Sequence, residues 1–192
     1  MAIRFAVILV ALASLAFGPA ESAGRLVKIT FVDTGNTGRS VAAEAIANDL
    51  IHSRGAPIAV ASRAVDMDPL DRLPEPNVVK LLALRGIDVS AHRAEPLTAK
   101  DVADADLILT MTVRHRIEVI RQFPKAEPKT FTLSEFATGE ARDVEDAKDH
   151  PMGAYKRMLE QVAGLVPGAL SKASGFLPKC LRKKKDGGCD RD

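Results

Sequence analysis

Residues 26–40 read Leu26-Val27-Lys28-Ile29-Thr30-Phe31-Val32-Asp33-Thr34-Gly35-Asn36-Thr37-Gly38-Arg39-Ser40, and this stretch decides the fold. Leu26 to Val32 is β-branched and apolar in the manner of a buried strand, and from Ser40 to Arg54 the apolar residues recur at helical spacing. The residues between join a strand to a helix N-terminus. Backbone N–H groups around Gly35 and Gly38 can turn inward there as a nest, the helix dipole adds positive potential, and Arg39 can fork two oxygens of a tetrahedral anion. The chemistry implied is oxyanion binding, with Thr34, Gly35, Asn36, Thr37, Gly38, Arg39 and Ser40 as the phosphate-binding residues. Asn36 is suited to brace the loop through its side chain, Ser40 to cap the helix and orient residue 33, and Ser62 to bond back to Asn36.

Outward from the loop the chain alternates. Further strands are expected at Ile58 to Ser62, Asp106 to Thr110 and Thr130 to Thr132, and helices at Asn77 to Arg85, Thr98 to Val102, Val113 to Phe123 and Met152 to Val166. Such alternation implies an α/β domain with a parallel sheet covered by helices on both faces. Pro69, Pro74 and Pro76 mark a loop, and Gly86 suits a helix C-terminus. Met152, Tyr155, Leu159, Val162 and Val166 fall on one helical face and read as core. No internal repeat and no second domain emerges.

The loop resembles the signature of the low-molecular-weight protein tyrosine phosphatases, in which a cysteine, five residues, an arginine and a serine or threonine form the phosphate cradle. Further segments fall in that family's order: Ser62-Arg63-Ala64, Gly86 to Arg93 before Pro96-Leu97-Thr98, Ala105 to Thr112, and Phe131 to Phe136. Thr37 and the Phe131-Thr132-Leu133 run are most similar to the bacterial protein-arginine phosphatase branch. The resemblance implies a three-layer, flavodoxin-like fold with a four-stranded parallel sheet in the order 2-1-3-4. It also implies a domain over residues 25–170, with neither a metal nor a cofactor.

By the same resemblance the catalytic positions are Asp33, Arg39 and Asp146, and at the first of these the family carries its nucleophilic cysteine. That family's mechanism is attack on phosphorus by a low-pKa thiolate, followed by hydrolysis of the phosphocysteine. A carboxylate does not copy this directly. Its oxygens reach one bond beyond the place of a cysteine sulfur and would intrude on the phosphate. Repulsion is not the deciding factor, because two unit charges 4 Å apart cost about 4 kcal/mol at an effective dielectric of 20, and a thiolate would incur a similar cost. Phosphatases that do use aspartate offset its charge with magnesium and further carboxylates, whereas the position two residues after Asp33 is Gly35. Gly38 stands where many relatives carry a second, protective cysteine. Asp146 takes the place of the family's general acid, which protonates the leaving group. The proline that follows it there is Ala147 here, which should loosen its aim.

Two functions follow from the resemblance. The first is a pseudo-phosphatase that binds phosphate or a phosphorylated protein or small molecule. The alternative is an active phosphatase using Asp33 as nucleophile and Asp146 as general acid, with phosphoarginine preferred to phosphotyrosine because Lys148, Asp149 and His150 offer no aromatic wall. An arsenate reductase of this fold would require the loop cysteine. The Asp-Thr-Gly-Asn-Thr-Gly run also fits a phosphate loop of the actin-like sugar kinases, but that fold needs two large lobes. His92 and His115 read as hydrogen-bonded scaffold, His52 and His150 as surface residues.

The 192 residues, 46% hydrophobic, suit one compact domain. Net charge is +2, from 27 Lys and Arg against 25 Asp and Glu; Lys179 to Asp192 holds six of the former and three of the latter, so the rest comes to −1. That balance argues against nucleic acid as a partner. Ahead of the domain, Arg4, the apolar run Phe5 to Phe17, the Gly18-Pro19 break and small residues at Ala20 and Ser22 form a secretory signal over residues 1–23, with export to the periplasm or exterior and no stable membrane anchor. Behind it, residues 171–192 form a basic tail expected to be mobile, in which Cys180 and Cys189 can pair in an oxidising compartment or remain free.

Overall fold

The computed structural model describes residues 25–176. The expected export signal and residues 177–192, with Cys180 and Cys189, lie outside the described residues, whereas residues 171–176, expected to open the mobile tail, are helical and continue the last helix. In chain order the elements are β1 (Val27–Asp33), α1 (Arg39–Arg54), β2 (Ile58–Ala64), α2 (Pro76–Ala83), α3 (Ala99–Asp104), β3 (Leu107–Thr110), α4 (Val113–Gln122), a 3-10 turn (Pro124–Lys129), β4 (Thr130–Thr132), α5 (Leu133–Thr138) and α6 (Met152–Ala173). All strand pairs are parallel and the sheet order is β2-β1-β3-β4, the order the family resemblance implied. No helix among the described residues is long and apolar enough to cross a membrane.

Period-2 alternation along the strands divides the core between the two faces of the sheet. Ile29, Phe31, Leu107 and Leu109 point to one side, where they pack with α1, α2 and α6 through Ala43, Leu82, Met158 and Val162. Val32 and Ile108 point to the other, under Val102 of α3, Val119 of α4 and Ala126. Phe31 and Val32 are fully buried on opposite faces of the same strand. Full burial of side chains of this size contributes roughly 1.5–3 kcal/mol each, which fixes β1 as the centre of the molecule.

Three elements differ from the expected ones. The last helix does not stop at Val166 but continues through Pro167 to Ala173, because Ala169, Leu170 and Ala173 bury 96–100% of their surface and outweigh the hydrogen bond that Pro167 cannot donate. A short helix, α5, follows β4 and was not expected. Thr132 accepts from the Glu135 N–H and Glu135 reaches back to the Thr132 N–H, a capping box that starts it. The third difference is at α1, which begins at Arg39 with Gly38 as its N-cap and no side-chain cap bond there, so Ser40 lies inside the helix. After α2, Gly86 takes a left-handed conformation (φ 77°) and its N–H bonds to Ala83 O, closing the helix as its position suggested.

This topology fixes where a ligand can sit. β1 lies between β2 and β3, where the strand order reverses, and its C-terminal end opens into the loop that feeds α1. In open parallel sheets that crevice is the place for a ligand.

Candidate functional site

The loop is held from behind by Asn36. This residue sits at φ 58°, a left-handed conformation that asparagine tolerates better than most residues, and every polar group on it is bonded. Its side-chain amide donates to Ser40 Oγ (3.0 Å) and Ser62 Oγ (2.8 Å), its Oδ1 accepts from the Glu95 N–H (3.0 Å), and its carbonyl accepts from His92 Nε2 (2.9 Å). Ser62 in turn donates to Glu44 of α1. The bond from Ser62 to Asn36 and the scaffold role of His92 are those the sequence suggested.

At the centre of the loop lies Asp33, which is 3% exposed. Its Oδ1 accepts the N–H of Asn36 at 2.6 Å and its Oδ2 accepts the N–H of Ser40 at 2.9 Å. The first helical bond of α1 runs from Ala42 N–H to Gly38 O, so the Ser40 N–H is one of the groups a helix N-terminus leaves without a partner. The carboxylate therefore does what a cap does. Sequence reading gave that task to the Ser40 hydroxyl, but the longer reach of Asp33 satisfies the helix from below. Asn36 and Ser40 are in consequence fully buried behind the cradle, their N–H groups directed at Asp33.

A hollow of about 200 Å³ opens over the loop, lined by Asp33, Thr34, Gly35, Thr37, Gly38, Arg39 and Asp146 together with residues from elsewhere. The catalytic trio expected from the resemblance thus meets in one place. Arg39 is 8% exposed and its Nη2 lies 2.9 Å from Asp146 Oδ2. The segment carrying Asp146 is pinned on both sides despite Ala147. Val113 N–H donates to Asp143 Oδ1, Val144 N–H to Met111 O, and Gln161 both accepts from Glu145 N–H and donates to Asp143 O. Ala147, the residue expected to loosen the aim of Asp146, is itself 2% exposed and packed into the fold.

Sequence reading missed the opposite wall. Asp66, Asp68, Asp71 and Glu75 line it, with Lys148 bonded to Asp71 at 2.7 Å. No aromatic side chain is among the lining residues. Glu75 is the innermost of the four: its N–H donates to Thr37 O (2.9 Å), its Oε1 accepts from Thr37 Oγ1 (3.4 Å), and its Oε2 accepts from the Tyr155 hydroxyl (2.6 Å). Burial pushes the Glu75 carboxyl up from its ordinary range, the charges of Asp146 and Asp33 push the same way, and the Tyr155 bond opposes them. A Cβ added at Gly38 would come within 2.6 Å of Glu75 Oε1, so the bare glycine leaves room for this carboxylate. Four acids within residues 66–75 were the available signal. Their meeting with Tyr155 from the last helix had none.

Beside Thr34, His115 of α4 is 5% exposed, with Nε2 hydrogen-bonded to Thr34 Oγ1 at 2.8 Å. Its Nδ1 is buried with no hydrogen-bond partner among the described residues. Burial, reinforced by the nearby Arg39 charge, pushes this imidazole down to about 4, so it is neutral at pH 7. Both His52 and His150 are exposed, as expected. Among the described residues no group of three or more His, Cys, Asp or Glu is placed to hold a metal ion.

Comparison with known proteins meets this geometry. Residues 28–184 match the model of the low molecular weight phosphotyrosine protein phosphatase family. The protein-arginine-phosphatase of Bacillus subtilis is 34% identical over 138 residues, which cover 72% of this chain and 91% of that protein. The crystal structure of the low molecular weight protein tyrosine phosphatase from T. tengcongensis superposes with a TM-score of 0.71 at 34% identity, over 76% of this chain and 99% of that one. A mutant of the arginine phosphatase YwlE with a phosphorylated active-site serine superposes with a TM-score of 0.72 at 32% identity, over 76% of this chain and 95% of that one. With its loop at the head of β1, its sheet order and more than half its length accounted for, the chain belongs to the low molecular weight phosphotyrosine protein phosphatase family.

Proposed function

We propose that this member of the family binds phosphorylated protein at the loop 33–40, phosphoarginine in preference to phosphotyrosine, and does not turn it over. The observation that carries the reading is the pair of bonds from the Asn36 and Ser40 N–H groups to the two oxygens of Asp33. An anionic acceptor with a backbone donor on each oxygen has its lone-pair density committed, which lowers its value as a nucleophile. Arg39, the one cation within the loop 33–40, is itself bonded to Asp146 rather than to Asp33. Thr34, Gly35, Thr37 and Gly38 still face the hollow, and with Arg39 they supply the donors that an oxyanion needs. Preference for a guanidinium-borne phosphoryl group rests on the wall of Asp66, Asp68, Asp71 and Glu75, and on a lining without aromatic rings against which a tyrosine ring would stack.

A second reading has its own support. In the YwlE mutant the active-site residue is a phosphorylated serine, so in that protein an oxygen at the seat can carry the phosphoryl group. Asp33 acting as an oxygen nucleophile, with Asp146 as general acid, would be the counterpart here.

Calorimetric titration and single-turnover assays separate the two. Orthovanadate and phosphoarginine are expected to bind the wild-type chain weakly, and Arg39→Ala to abolish binding by removing the fork. Wild-type turnover of phosphoarginine is expected near background, Asp33→Cys to gain measurable turnover under reducing conditions, and Asp146→Ala in that background to lower it by roughly 10²–10⁴-fold. Brisk wild-type hydrolysis that vanishes in Asp33→Asn would instead establish the carboxylate as the nucleophile.

A further inference from the structure

The hollow over the cradle does not end at Thr34. A second groove, about 420 Å³ in volume, begins there. It is lined by Thr34, Val65, Asp66, Arg114, Ile117 and Glu118 with His115 between them, and it shares Thr34 and Asp66 with the cradle. It has twice the volume of the 200 Å³ space that faces Arg39. Because the two spaces meet at Thr34 and Asp66, a group attached to a phosphoryl moiety seated in the first can extend into the second.

The geometry points to a subsite for the residues that flank the phosphorylated one, so that the ligand lies across α4 as a polypeptide segment. This inference rests on the reading that the cradle binds phosphorylated protein. Three features favour a peptide over a small metabolite. First, the groove runs along α4 and two apolar side chains line it, Val65 at 9% exposure and Ile117 at 62%, an apolar pairing that a side chain of a bound segment can cover. Second, its walls are preformed. Gln122 Nε2 donates to Val65 O at 2.9 Å and to Glu118, and Thr34 Oγ1 is held by His115 Nε2, so α4, the loop after β2 and the cradle are joined across the groove. A preformed surface costs less ordering on binding. Third, its charge is directional. Glu118 is bonded to Arg121 at 2.6 Å, which leaves Arg114 as the basic group lining the groove that Thr34 and Asp66 also line. A segment with an apolar residue over Ile117 and an acidic residue near Arg114 complements this surface.

The test compares free phosphoarginine with a decapeptide carrying phosphoarginine between leucine and glutamate, by fluorescence-polarisation competition against the full chain. The wild type is expected to bind the peptide at least tenfold more tightly than the free phosphoamino acid. Ile117→Asp and Arg114→Glu are each expected to erase most of that gain, with unchanged thermal melting of the two variants showing that they remain folded. Equal affinity for peptide and phosphoamino acid, alongside measurable binding of orthovanadate, overturns the subsite while leaving the cradle reading intact. A gain that persists in both variants overturns it as well. Failure of orthovanadate and of both phosphoarginine ligands to bind overturns the cradle reading, and the subsite with it.

Discussion

Glu75 and any side chain at position 38 compete for one place. A methyl group at 38 meets a carboxylate oxygen at 2.6 Å, and that oxygen belongs to the end of a flexible side chain, so the fold survives while Glu75 swings off Tyr155. The hydrogen bond to a charged acceptor is worth about 1.5–3 kcal/mol. Tyr155→Phe should therefore cost roughly that much in the wild type and little in Gly38→Ala, a non-additivity that urea denaturation of the four chains of a double-mutant cycle would measure. His115 makes a separate statement through pH. Its folded value of about 4 lies below the ordinary 6.5, so between these values the unfolded chain takes up a proton that the native chain refuses. Stability is then fully present above pH 6.5 and is lost as the pH falls toward 4, by up to about 1.4 kcal/mol per pH unit. His115→Gln should flatten this limb in thermal melts recorded from pH 7 to 4. Raised rather than lowered, Glu75 contributes the opposite slope, with stability present below the ordinary carboxyl value and lost as the pH rises, which is why the comparison must be of variant against wild type. At this scale the sequence displayed Asp33, Asn36 and Arg39, because one short loop brings them together. The acidic wall was hidden, because Glu75 and Tyr155 are 80 residues apart and meet only through packing.

Among the elements, those with strong local periodicity were the legible ones. β4 matches the expected Thr130 to Thr132, and the remaining strands and α4 agree within one or two residues at each end. At Pro167 the local signal is a stop, whereas the reason the last helix continues beyond Val166 is burial against distant residues. Leu170 tests that explanation. It is 4% exposed and belongs to the same core cluster as Val162 and Phe31. Leu170→Ala should lower the free energy of unfolding by about 2–5 kcal/mol in denaturant titrations. A cost near zero would mean that the segment beyond Pro167 is an appendage. By the same reasoning α5 could have been read from Thr132 and Glu135, whose capping box is purely local, but its six residues are too few to display a period.

For the whole molecule, strand order followed from the family resemblance and its parallel character from the alternation of strands and helices, and both put the cradle where the order reverses. What neither could supply was the state of the cradle. The carboxylate of Asp33, bonded to the N–H groups of Asn36 and Ser40, acts as a tethered counter-ion for the end of α1. An oxyanion arriving from solution meets a helix end whose charge is already partly answered, by a group with the effective concentration of an intramolecular partner. Ligand linkage then runs in an unusual direction. An empty nest would make folding dependent on dissolved phosphate through mass action, while this one folds as if permanently half-loaded. Added phosphate should raise the melting temperature of the wild-type chain only slightly, and that of Asp33→Ala from a lower starting point but by a larger increment. A counter-ion built into the chain thereby takes the place of one drawn from solution.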